Sequence, residues 1–253
     1  MAIRLLFAAL CLSLLLSAHA DQPLQAWIDT ALPGTVLRLP PGTYSGPASI
    51  TKPLTLEGNG KVVVDGGGKG TVLTIKADKV TIRGLTLRGS GDSHDAIDGA
   101  IMVAEGNGLL IENNVIEDVL FGISLHRTTD SVIRHNRIRS RGASSADRGD
   151  GLRLWYSMGN RNNDIAQIRD ITVSNSPHNR YTGNTIRDSR RAFNFLFSHR
   201  SLVERNILEK NSTGIIALNS NGLIIRGNRI LHAMDASGAG IALKETSAAL
   251  VVD

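Results

Sequence analysis

Along most of this chain apolar and polar residues alternate with a period of two, in short runs that recur at a nearly constant interval. The runs FGISLHRTTD, GDGLRLWYSMGN, RDITVSNSPHN, RAFNFLFSHRS, TGIIALNSNG and AGIALKETSA all show it. Such alternation predicts strands with one buried face, turning Ile123 and Leu125, Leu152 and Leu154, Phe193 and Phe195, and Ile241 and Leu243 inward. Each run then reaches a Ser or Thr: Thr128, Ser157, Ser176, Ser198, Ser220 and Thr246.

A second phrase runs in step with the first: an apolar residue, two polar ones, Asn, one more residue, then Ile or Leu. It places Asn114 and Asn136 22 residues apart, and Asn184, Asn206 and Asn228 at the same interval. The gap from Asn136 to Asn184 holds one further coil near Asn162, plus a few extra residues in RGASSADR that predict a protruding loop. A fixed period of this length, divided by Gly, Asn and Ser turns, is the signature of a solenoid. The fold class expected is all-β: a right-handed single-stranded parallel β-helix of about 22 residues per coil. The recurrent Asn is expected at a tight turn, in a left-handed conformation, with its amide bonded to the next coil.

Helical spacing occurs once, at Leu24, Trp27, Ile28 and Leu32, and predicts a short amphipathic helix capping the N-terminal end of the solenoid. Residues 1–20, with Arg4 before an apolar run and Ala18-His19-Ala20 at its end, read as a signal peptide. The remaining residues, 21–253, form one β-helix domain. The next turn Asn would fall just beyond Asp253, so the C-terminal coils are expected to be missing from a longer solenoid.

Composition narrows the function classes. The only cysteine is Cys11, inside the leader, so metal chemistry in the exported chain must use His, Met, Asp or Glu. Without Arg4, 27 basic residues face 23 acidic ones, and the basic residues are scattered singly, which argues against nucleic acid as a partner.

Columns of a solenoid make neighbours of residues distant in sequence. The position after the turn Ser or Thr holds Thr129, Met158, Pro177, His199, Asn221 and Ser247, with His178 one residue past Pro177. Met158, His178 and His199 therefore come from three consecutive coils and are candidate ligands on one edge. Thioether with imidazole is the ligand set for Cu(I) in a cysteine-free exported protein. The alternative is that polar solenoid loops collect His and Met by chance. His232 and Met234, in an insertion between coils, are further candidates, while His126 and His135 alternate outward and read as solvated.

Asp92, Asp95 and Asp98 form an early acidic group, with Asp147 and Asp150 in the protruding loop. They suit calcium or a glycosidic-bond chemistry, or simply bond the local backbone as turn residues do. The basic run at Arg187, Arg190 and Arg191 reads as a solvated rim partnered by Asp188. Trp155 and Phe197 are candidates for an exposed face that meets a sugar ring or a partner protein.

The segments GSGDSHDAIDGAIMV, GDGLRLWYSMGN, RDSRRAFNFLFSHRS and LHAMDASGAGIALKETS resemble the NosD family from about residue 30 onward. That resemblance implies a periplasmic, non-enzymatic accessory protein that handles copper, held transiently and as Cu(I). It also implies ABC transporter ATPase and membrane subunits as partners, together with a copper chaperone and nitrous oxide reductase. Two other readings share the solenoid: a polysaccharide lyase, epimerase or hydrolase using Asp95, Asp98 and Asp150, and a scaffold or adhesin without chemistry.

Overall fold

The computed structural model describes residues 22–142, 144, 146–158, 164–166, 168–233 and 238–253. The leader, Asn162 and Met234 lie outside them. A typical coil contains three strands, as in Arg180–Thr182, Thr185–Arg187 and Arg191–Leu196. Stacking generates a 13-stranded sheet, a 9-stranded sheet and a 4-stranded sheet, all paired in parallel, with a two-stranded patch beside them. The expected parallel β-helix is what forms. None of the described helices is long and apolar enough to cross a membrane.

In-register pairing converts sequence alternation into columns. Ile116, Ile138, Ile165, Ile186, Leu208 and Ile230 follow one another along the largest sheet. On the 9-stranded sheet the run is Val103, Leu125, Leu154, Val173, Phe195 and Ala217. Both inward phenylalanines are fully buried, with rings stacked at 5.8 Å and Tyr181 edge-on to each at 5.4 Å. Complete burial of one such side chain contributes about 1.5–3 kcal/mol.

The turns are held by ladders of side chains. Asn184 donates its backbone N–H and its side-chain amide to Asn206 Oδ1, at 2.8 and 2.7 Å. Asn206 repeats this on Asn228, and Asn114 on Asn136. A parallel ladder runs through the hydroxyls: Ser157, Ser176 and Ser198 each donate a backbone N–H to the hydroxyl one coil on. The amide bonding is as expected, but the conformation is not. The left-handed residue is the one before each Asn: Asn113, His135, Gly183, Arg205 or Gly227. Placed after the bend, the Asn keeps an ordinary backbone and directs its amide along the solenoid axis.

The helix Leu24–Thr30 covers the first strand of the 9-stranded sheet, Ala48–Ile50. Leu24 and Ile28 are buried under it, and the Gln25 amide binds both backbone groups of Ser49, at 2.7 and 3.2 Å. That side chain supplies the pairing a missing strand would have given. Leu32 departs from the expected apolar face: it lies past the helix end and is 71% exposed.

Candidate functional site

Ser176, whose neighbours along the hydroxyl ladder are Ser157 and Ser198, fixes where the soft donors fall. Met158, Pro177 and His199 share one column, so Pro177 separates the other two by a full coil. His178 belongs to the next column, beside Arg200; both have left-handed backbones, and the His178 N–H binds the His199 carbonyl at 3.0 Å. His199 Nδ1 accepts the Asn221 N–H at 3.0 Å, which puts the proton of the neutral ring on Nε2. His232 is exposed with a left-handed backbone, and its predicted companion Met234 is outside the described residues. No group of three or more His, Cys, Asp or Glu converges to hold a metal among the described residues.

The acidic residues are similarly dispersed. Asp92 pairs with Arg141 at 3.1 Å, Asp98 is buried and accepts the Ser93 N–H at 3.1 Å, and Asp147 accepts the Ser144 hydroxyl at 2.7 Å. Asp150 is different. Desolvation, reinforced by the neighbouring Asp170 charge, pushes its carboxyl up to about 6. Asp170 is itself buried and paired with Arg190 through two contacts of 3.1 and 2.5 Å, with Arg191 at 3.6 Å. The Asp170 carboxylate in turn raises the Arg190 guanidinium above its ordinary range. The arginines thus face Asp170 rather than Asp188, because the solenoid brings the strand of the preceding coil closer than the local turn does.

A better formed concavity lies on the outer face of the 9-stranded sheet. It has a volume of about 310 Å³ and its lining includes Ile97, Met102, Ser124, His126, Arg153 and Trp155. Three consecutive strands build it, Gly99–Val103, Phe121–His126 and Leu152–Trp155. Ser124 pairs with Met102 on one side and Arg153 on the other, and His126 pairs with Trp155. The Arg153 guanidinium sits 5.5 Å from the Trp155 ring centroid. His126 is therefore half-buried in a pocket instead of solvated, since Trp155 of the following coil flanks it. Phe197, by contrast, is 51% exposed. The sequence signal for this pocket was present: aligning Ile101, Ile123 and Leu152 stacks Met102, Ser124 and Arg153. The columns at the turns contain none of these residues, so a reading confined to turn positions does not reveal the pocket.

This architecture defines a right-handed parallel β-helix protein, and residues 54–169 match the family model described as "Right handed beta helix region". Residues 139–252 match the model described as "Periplasmic copper-binding protein (NosD)", which supports the resemblance read from the sequence. The "Probable ABC transporter binding protein NosD" of Pseudomonas aeruginosa is 32% identical over 133 residues, covering 51% of this chain and 31% of that protein. Its namesake from Stutzerimonas stutzeri is 32% identical over 137 residues, covering 53% and 31%. The aligned stretch thus spans about a third of the length of these curated relatives. Among solved structures, the Azotobacter vinelandii mannuronan C-5 epimerase AlgE6 A-module superposes with a TM-score of 0.60 at 18% identity, over 90% of this chain and 74% of that one. At that identity the likeness concerns the fold alone.

Proposed function

We propose that this chain is a NosD-like periplasmic accessory protein that binds copper transiently, as Cu(I), and works with an ABC transporter in delivering it to nitrous oxide reductase. The observation that carries this reading is the NosD match over residues 139–252, together with 32% identity to two proteins named as ABC transporter binding proteins. The leader-like residues 1–20 support export to the periplasm. On this reading the protein is not an enzyme. It presents neutral soft donors on a rigid scaffold, and transporter ATPase and membrane subunits, a copper chaperone and the reductase are its partners.

The experiment is deletion of the gene in a host that reduces nitrous oxide, followed by metal analysis of the purified reductase. Copper-depleted reductase, restored by the gene in trans, is the expected result; fully metallated reductase from the deletion strain would sink the proposal. The rival reading, a lyase, epimerase or hydrolase acting on uronic-acid polymers, has one observation in its favour, the Asp150 carboxyl, pushed up to about 6 by desolvation and the neighbouring Asp170 charge. Against it, Asp170 is engaged by Arg190 and Arg191 and Asp150 is hydrogen-bonded by Thr172, so the two carboxyls are not disposed as the cooperating pair such chemistry calls for.

A further inference from the structure

The pocket on the 9-stranded sheet collects three side chains whose shared chemistry points to one kind of ligand. Met102 comes from one coil, His126 from the next and Trp155 from the one after, all on the outward face. With coils about 4.8 Å apart and two residues covering about 6.6 Å along a strand, the Met102 and His126 backbones stand roughly 8 Å from each other. Their side chains can meet between them. Trp155 is the in-register neighbour of His126, so its indole borders the same space.

A thioether and a neutral imidazole prefer soft cations, whereas magnesium, calcium and manganese prefer carboxylate, carbonyl and water oxygens. The pocket lining includes no carboxylate. An indole face adds cation–π attraction for a monovalent cation that has shed its water. Both ring nitrogens of His126 are free of protein partners among the described residues, in contrast to His199, whose Nδ1 is engaged by Asn221.

The rim adds an independent sign. Ile97 has φ 57, and among the described residues with positive φ it is the sole β-branched one. Such a conformation is strained for a β-branched residue, and strain of this kind concentrates at functional sites. It is held by the Ile97 N–H on the His94 carbonyl at 3.3 Å and the Asp98 N–H on the Ser93 carbonyl at 3.0 Å. The strained turn delivers an apolar side chain to the mouth of the pocket, where it excludes water from a weakly hydrated ion.

We infer that Met102, His126 and Trp155 form a Cu(I) site, with Met102 Sδ and a His126 ring nitrogen as ligands and the Trp155 indole over the ion. The site rests on the copper reading above and gives it a location that sequence columns did not. Arg153 sets its strength. The guanidinium already over Trp155 repels an entering cation, and neither donor carries a compensating charge, so the ion is held weakly and can be passed on.

The full chain holds two tryptophans, so Trp27→Phe leaves Trp155 as the sole indole reporter. Anaerobic titration of this variant with Cu(I) against a chromophoric chelator should show one equivalent bound and a matching quench of Trp155 emission. Met102→Leu and His126→Asn should each abolish the quench with an unchanged circular dichroism spectrum, and Arg153→Leu, which removes the charge without adding a donor, should tighten binding. Calcium should leave the emission unaltered, and an equal calcium quench would overturn the soft-donor argument. Copper uptake that survives the Met102→Leu/His126→Asn double change without touching Trp155 emission would overturn this site and leave the copper reading standing. No Cu(I) uptake by the parent chain would remove both.

Discussion

Single residues here act across coils, so the cost of losing one depends on what its neighbours then lack. Asn206 accepts two N–H groups of Asn184 and donates to the Tyr181 carbonyl at 2.9 Å, all in buried surroundings. Asn206→Ala strands those groups, each at about 1–3 kcal/mol, and is expected to cost roughly 3 kcal/mol or more in a denaturant melt. Asn228→Ala should cost less, because Asn228 is half-exposed and water can replace it. Asp150 gives a pH signature. Its folded carboxyl titrates at about 6 against 3.8 unfolded, so the folded state binds the extra proton between those values. Stability therefore falls as pH rises through this window and stays reduced above it. Asp150→Asn should raise Tm at pH 7.5 while leaving it nearly unchanged at pH 4, as thermal melts at the two pH values would reveal. The spacing of the asparagines was legible because a turn residue needs no distant partner to be recognised. Their backbone conformation was not, because the bend is taken up one residue earlier.

At the scale of elements, parallel in-register stacking places identical strand positions one above another, which turns repeated charge into repulsion. The chain avoids this by alternation: Arg38, Glu57, Arg83, Glu112 and Arg134 succeed one another on five coils. Contacts of 3.1, 3.2 and 2.7 Å join Arg38 and Arg83 to Glu57 and Arg134 to Glu112. Glu112→Lys puts three cations in a row and leaves Arg134 unpaired. It should destabilise the protein in low salt, with partial recovery in high salt, since the arginines are partly solvated. Nothing in a single strand announces this column; it emerges only when the register of five coils is known. The N-terminal helix was foreseeable from Leu24, Trp27 and Ile28, whereas the strand-like pairing of Gln25 with Ser49 required the helix and the sheet edge to be seen together. Gln25→Ala should expose that edge and increase aggregation, measured by light scattering.

For the whole molecule, a solenoid's stability is a sum of coils and their interfaces, so whole coils are removable and partial ones are not. Deleting residues 185–206 excises one 22-residue period and rejoins Asn184 to Ile207, which should leave a monodisperse β-rich protein. Deleting 185–205 leaves Asn206 beside Asn184, so the rejoined strand enters one residue out of step with its turn ladder and the protein should melt lower than after the whole-coil deletion. Coil length, inward residues, the capping helix and the NosD resemblance are all legible in the chain alone, because each is written in local periodicity or a contiguous segment. It could name Met158, His178 and His199 as coming from successive coils, with Pro177 in the column between the first and the last, but not that Asn221 takes a nitrogen of His199. Aligned strand positions stack Met102, Ser124 and Arg153, but that His126 and Trp155 close on the same space, and that Arg190 faces Asp170, came from the fold. The reason is physical: alternation states which face a residue occupies, while lateral neighbours depend on the register between coils, which insertions of differing length shift.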